Sequence, residues 1–249
     1  MCRLYMSRRT LMAAPSSLLL APACATASDV PVEPRMRLAA PPPARLVVAL
    51  TLDACQGTFD EQIATALVES GIPATIFATG LWLRRNPAGL AFLLTHCDLF
   101  GIENHGELHI PPVLGQRSIY GIPVAGDLVT VRREVTEGAI CISTATGTVP
   151  RWYRAATGYY SPSAMLAIQQ LGFGIAGYSL NADMGASLPA RSVSRRIGKA
   201  TNGEVIVAHI NQPYGPSGMG VIAGIRNLQS RGASFLRIDQ LATADLAYA

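Results

Sequence analysis

Seven short apolar runs, each followed by a stretch with helical spacing, constrain the fold of this chain more than any other feature. The runs are Leu46–Leu52, Ala74–Ala78, Leu99–Ile102, Trp152–Arg154, Phe173–Leu180, Glu204–Ala208 and Phe235–Ile238. Most are too continuously apolar for a sheet with one wet face. They fit strands of a parallel sheet buried on both sides. Between them, Thr58-Phe59-Asp60-Glu61 reads as a capping box opening a helix to about Ser70, with Gly71 past its C-terminus and Pro73 after it. Asn86-Pro87 opens another helix, and further helices are expected over about 127–144, 163–171, 190–199 and 221–230. Seven strands alternating with helices predict an α/β barrel rather than an open sheet. The 249 residues suit one such domain, and 49% apolar against 14% charged residues supports a large core.

The first 27 residues read differently. Arg3, Arg8 and Arg9 precede a run of apolar and small residues from Leu11 to Ala23, and Ala25-Thr26-Ala27 resembles a cleavage site. Ser7-Arg8-Arg9-Thr10-Leu11-Met12 resembles a twin-arginine export signal, so residues 1–27 are expected to direct the protein to the periplasm or outside the cell. Cys24 offers a lipid-attachment alternative, weakened by the lack of a large aliphatic residue three positions before it. No other segment has the apolar length of a membrane span. Residues 28–44 are proline-rich and read as an extended tether, which places the barrel domain at 45–249.

Without the first 27 residues, 17 basic residues face 16 acidic ones, which gives no basic patch and no support for a nucleic-acid partner. Cys55, Cys97 and Cys141 are odd in number and widely spaced, so they form neither a disulfide framework nor a CxxC zinc motif, and the sequence selects no disulfide among them.

Chemistry-bearing residues gather where the strands end. Asp53, His105, Arg154, Asp183 and His209 each stand at or just past the C-terminal end of an expected strand, and in a parallel barrel those ends share the face on which active sites are built. The corner Leu99–His109, LFGIENHGELH, holds two of the four histidines, His105 and His109. If the segment after Asn104 takes a helical turn, both face one metal ion. His96 reads as a surface residue. Other motifs fail: His105-Gly106-Glu107-Leu108-His109 lacks the glutamate order of HExxH, and the chain has neither a GxSxG elbow nor a GxGxxG phosphate loop.

From Leu46 to Ile238 this ordered set resembles the polysaccharide deacetylases of carbohydrate esterase family 4, which share the nodulation-protein B-like homology domain. The resemblance implies a single distorted parallel (β/α)7 barrel. The family's first motif, TFDDG, is similar to Thr51-Leu52-Asp53-Ala54-Cys55, with Asp53 in the position of the general base and Ala54 in that of a metal-binding aspartate. The second motif is similar to His105-Gly106-Glu107-Leu108-His109, with both ligand histidines present and its hydroxyl residue replaced by Gly106. The third, R-x-P-x-G, resembles Arg154-Ala155-Ala156-Thr157-Gly158, where Arg154 would orient Asp53 and the Thr157 backbone N–H would face an oxyanion. Asp183 takes the position of the aspartate that polarises the acid histidine, and Ile206 with His209 matches the last motif.

The chemistry implied by the resemblance is removal of acetyl groups from a carbohydrate by a divalent metal, zinc first, with cobalt, nickel or manganese as alternatives. A metal-bound water would attack the acetyl carbonyl, Asp53 would act as base, and His209 would act as acid. Ala54 leaves the third ligand open among Asp53, Glu103, Glu107 and a water. A centre of two histidines alone would bind metal more weakly than a His-His-Asp centre. Two competing expectations are a non-catalytic carbohydrate-binding relative that has lost full metal binding, and a hydrolase of small amides on the same barrel. The loop Pro111–Asp127 could line a glycan groove or close over a small substrate. The sequence assigns no polymer, linkage or oligomeric state.

Overall fold

The computed structural model describes residues 29–248, so the expected export signal over 1–27 and Cys24 lie outside the described residues. A short β1 (Met36–Leu38) precedes β2 (Val47–Ala54), α1 (Glu61–Glu69), β3 (Ala74–Ala78), α2 (Gly80–Arg85), α3 (Pro87–Thr95) and β4 (Phe100–Asn104). A small hairpin of β5 (Ser118–Ile119) and β6 (Ile122–Pro123) comes next. Then follow α4 (Leu128–Thr146), β7 (Trp152–Tyr153), α5 (Pro162–Gln170), β8 (Gly174–Ile175) and β9 (Leu180–Asn181). The remaining elements are α6 (Ala190–Gly198), β10 (Val205–His209), α7 (Gly218–Ser230), β11 (Ser234–Leu236) and β12 (Leu246–Tyr248). No helix among the described residues is long and apolar enough to cross a membrane.

Seven strands lie in the order β8-β7-β4-β3-β2-β10-β9, every neighbouring pair parallel, and β11 pairs parallel with the first residues of β2. The result is one α/β domain with a distorted, incompletely closed barrel. The distortion has a local source. In place of one strand over 173–180, the segment bends between β8 and β9, so its first half pairs with β7 and its second with β10. One bent segment thereby brings the two edges of the sheet together.

Along β2, side chains alternate between two cores. Val48, Leu50, Leu52 and Ala54 belong to the layer packed against the helices, while Val47 and Ala49 belong to the cluster with Phe77, Trp152, Tyr178, Val205 and Val207. The second set fills the lower barrel and leaves the polar residues of the same parity, Thr51 and Asp53, near its upper end. Helix α1 starts two residues later than the capping box predicts. Asp60, not Thr58, is the N-cap, accepting from the backbone N–H of Gln62 at 3.2 Å and of Ile63 at 3.3 Å.

The proline-rich stretch departs most from its expected role. It is extended, but it is no free tether, and the domain begins well before Arg45. Val32 exchanges two backbone hydrogen bonds with Tyr160, at 2.8 and 2.9 Å, and β1 pairs antiparallel with β12. Met36 is completely buried, its N–H donating to the Tyr178 carbonyl at 3.2 Å. Prolines favour an extended chain, yet the buried side chains of Met36 and Leu38, with the backbone bonds of Val32, Pro34 and Met36, fasten it to the domain.

Candidate functional site

Parallel pairing sets the first part of the site. His209 at the end of β10 is the register partner of Asp53 near the end of β2, so the two stand side by side at the barrel mouth. Arg154, which follows β7, reaches across beneath them. Its guanidinium donates to Asp53 Oδ1 at 2.8 Å, to the Thr51 hydroxyl at 2.7 Å and to the Gly177 carbonyl at 3.0 Å, and it lies 4.1 Å over the Phe77 ring. Only 1% of Arg154 is exposed, and the carboxylate, the carbonyl and the aromatic face compensate its lost hydration. Burial works against the charged form of Asp53, but Arg154 and the nearby His105 and His209 outweigh it and hold the carboxyl below its ordinary range.

The His209–Asp183 pair is equally well defined. Asp183, fully buried, accepts from the backbone N–H of His209 at 2.8 Å with one oxygen and from its Nδ1 at 2.9 Å with the other. Both rotamer and tautomer of His209 are fixed, with Nε2 on the side away from Asp183. Burial favours the neutral ring, but Asp183 and the Cys55 thiol outweigh it and raise the histidine well above its ordinary value.

His105 and His109 do meet, with ring centroids 5.0 Å apart, but not on a helical turn. Residues 105–110 form an irregular loop in which Gly106 has φ +88° and His109 φ +66°. The loop is held from behind by Glu134 of α4, whose carboxylate accepts from the N–H of Leu108 at 2.9 Å and of Ile110 at 3.0 Å. A Cβ on residue 106 would stand 2.3 Å from Glu134 Oε1, so the hydroxyl residue expected there is replaced by glycine because the carboxylate takes its space. Thr157, also at positive φ (+70°), sits in the three-residue turn after Arg154, and its Oγ1 is buried without a hydrogen-bond partner.

Of the expected third ligands, neither glutamate reaches the histidines. Glu103 turns into the barrel and accepts from the N–H groups of Arg151 and Trp152, both at 2.8 Å. Glu107 pairs with Arg84 of α2 at 2.5 Å and accepts from the Cys141 thiol at 3.2 Å. Asp53 lies 3.9 Å from His105 Nε2 with its other oxygen committed to Arg154. The group that joins the histidines is Cys55. Its Sγ is 3.4 Å from His105 Nε2, and one donor atom from each of Cys55, His105 and His109 lies within 4.8 Å of the others. Burial pushes the Cys55 thiol up, but His109, His105 and His209 outweigh it and leave it well below the ordinary thiol value. The three cysteines of the described residues, Cys55, Cys97 and Cys141, are all free.

The two-residue period of β2 was the overlooked signal. Ala54 faces the helix layer, fully buried, whereas Cys55 has the parity of Thr51 and Asp53. The donor set fits a divalent metal: a tetrahedral ion with bonds of about 2.0–2.3 Å needs donor atoms roughly 3.5 Å apart. His105 Nδ1 lies 2.8 Å from the Arg154 carbonyl, which can only accept, so Nδ1 carries a proton and Nε2 turns to the cluster.

An arginine-bound aspartate, an aspartate-bound histidine and a Cys55–His105–His109 cluster able to ligate a metal thus share the mouth of one parallel α/β barrel. A family model described as polysaccharide deacetylase matches residues 40–176, more than half of the chain, and the chain belongs to that family. No curated protein sequence matches it. Among solved structures, a CE4 family pseudoenzyme from Bacillus anthracis aligns with a TM-score of 0.63 at 18% identity, over 80% of this chain and 66% of that one. A family 4 carbohydrate esterase from Streptomyces lividans in complex with acetate aligns at 0.60 with 17% identity, over 76% and 91%. The peptidoglycan deacetylase PdaC from Bacillus subtilis aligns at 0.61 with 18% identity, over 80% and 91%. These likenesses describe the fold, and they include both a named deacetylase and a named pseudoenzyme.

Proposed function

We propose that this protein is a metal-dependent hydrolase that removes acetyl groups, as amides or esters, from a carbohydrate outside the cytoplasm. The observation that carries the reading is the intact pair of proton-handling groups: Asp53 held ionised by Arg154, and His209 held by Asp183, on adjacent strands beside the histidine cluster. A structural barrel end has no need of two such desolvated, oriented pairs.

A divalent metal bound through His105 and His109 would supply Lewis-acid polarisation of the acetyl carbonyl and an acidified water. The protein's own groups do the rest. Asp53, unable to move because Arg154 and Thr51 hold its surroundings, accepts the proton of the attacking water. His209, protonated at Nε2 with Asp183 on Nδ1, delivers a proton to the leaving amine or alcohol. The Thr157 backbone N–H is assigned to the oxyanion, where loss of one such donor costs roughly 3–4 kcal/mol.

The test is acetate release from acetylated amino-sugar oligomers, acetyl-ester glycans and small acetamides, each with and without chelator. Release from a glycan that stops with chelator and returns on adding zinc supports the reading. Glycan binding without acetate release from any substrate would make the protein a non-catalytic carbohydrate binder instead, and release confined to small amides would make it a small-amide hydrolase. Fractionation of expressing cells tests the proposed export over residues 1–27.

A further inference from the structure

We propose that Cys55 is the third protein ligand of the metal centre, making it a thiolate–bis-histidine site that selects thiophilic ions, rather than a carboxylate–bis-histidine site or a two-histidine remnant. The inference rests on reading the His105–His109 corner as a metal centre, but not on deacetylation itself.

Three observations carry it. The first is proximity: Cys55 Sγ and His105 Nε2 are 3.4 Å apart, close to the separation of two donors on one tetrahedral ion, and His109 completes the set within 4.8 Å. The second is orientation. The backbone carbonyl of Arg154 fixes a proton on His105 Nδ1, so the lone pair of Nε2 is turned to the cluster. The third is the commitment of the competing glutamates. Glu103 serves the amides of Arg151 and Trp152, Glu107 serves Arg84 and Cys141, and Glu134 serves the loop amides, while Asp53 keeps one oxygen on Arg154 and its other 3.9 Å from His105 Nε2, outside the Cys55–His105–His109 set. Ala54 has no donor, and the chain turns its side chain into the core. The ligand function has moved one residue along the strand, to the side chain that the pleat returns to the barrel mouth.

Binding is a simple exchange: the Sγ–H bond breaks, an S–metal bond forms, and one proton leaves to solvent. A thiolate ligand favours zinc, cobalt and cadmium over magnesium or manganese, which prefer all-oxygen sites.

The experiment is cobalt(II) titration of the purified, metal-stripped chain under anaerobic conditions, followed by absorbance and by competition with zinc. One equivalent of cobalt should produce a thiolate-to-cobalt charge-transfer band in the near ultraviolet, which zinc removes and magnesium does not. The band should survive in Cys97→Ser/Cys141→Ser. It should vanish in Cys55→Ser with at least a ~10-fold loss of affinity, and vanish in Cys55→Asp with affinity largely kept, since a carboxylate restores a third donor. Circular dichroism and melting confirm that each variant folds. Cobalt binding to wild type without the band, wild-type affinity in Cys55→Ser, or no cobalt binding by wild type would each overturn the proposal. A cobalt band without acetate release from any substrate would leave it standing while refuting deacetylation.

Discussion

Removing the carboxylate of Glu134 should loosen the loop that carries His105 and His109, the proposed metal ligands, without touching either side chain. Glu134 is 4% exposed, and its oxygens accept from Leu108 N–H at 2.9 and 3.1 Å and from Ile110 N–H at 3.0 Å, on either side of His109. In Glu134→Ala both amides lose their acceptor. Each buried donor left unpaired costs about 1–3 kcal/mol, so roughly 2–6 kcal/mol is withdrawn from the folded loop before water re-enters. Gly106 gives the loop no side chain of its own to recover that loss. The remaining order must come from metal binding, which should weaken by about 10–100-fold, the usual effect of removing a group that orients a ligand. Glu134→Gln keeps Oε1, which already accepts from both amides, but sets an NH2 against Leu108 N–H, so it should fall between wild type and alanine. Chelator competition gives the affinity, and melting of the metal-free and metal-loaded forms gives the stability. If Glu134→Ala binds zinc within twofold of wild type while its melting temperature falls, His109 is positioned by something other than Glu134 and the reasoning fails.

Three further outcomes are expected. Asp183→Asn removes the negative charge and leaves a single oxygen for two donors, the backbone N–H and Nδ1 of His209, and should lower kcat by about 10²–10⁴-fold with metal affinity unchanged, measured by acetate release and chelator competition. Burial raises the Glu103 carboxyl to about 7, against an ordinary 4.5, with the two backbone amides opposing the shift. The folded state therefore holds a proton that the unfolded state has already lost, and stability should fall as pH rises from 4.5 through 7, by up to on the order of 3 kcal/mol. Urea melts of Glu103→Gln should lack this slope, and an unchanged slope would locate it elsewhere. Met36→Ala should cost about 2–4 kcal/mol in urea unfolding, because the proline-rich arm is packed into the domain; a free tether would show no loss.

Most of the barrel was legible because its signals are local. A strand buried on both faces must be largely apolar, and the runs Val47–Leu52 and Ala74–Ala78, each broken only by a threonine, announce themselves that way. The same run ends where polarity returns, so Asp53, His105, Arg154 and His209 could be placed at one end of the barrel from their position in the chain. The bend at 176–179 was not legible, because apolar residues in a run do not say which neighbour each will hydrogen-bond. There the Arg154 guanidinium and the arm at Pro34–Met36 take backbone groups that a straight strand would have given to a partner.

The sequence by itself determined the parallel α/β barrel, the end at which chemistry collects, and the residue types available there. Tertiary structure alone decided which of those residues are free to bind. Glu103, Glu107 and Glu134 are chemically interchangeable as ligands on paper, but the chain entering β7 brings Glu103 a pair of amides, α2 brings Glu107 an arginine, and α4 carries Glu134 to the amides of Leu108 and Ile110. A buried carboxylate must take such partners or lose its charge. Cys55 instead faces only imidazoles, those of His105, His109 and His209, and takes no arginine or pair of amides.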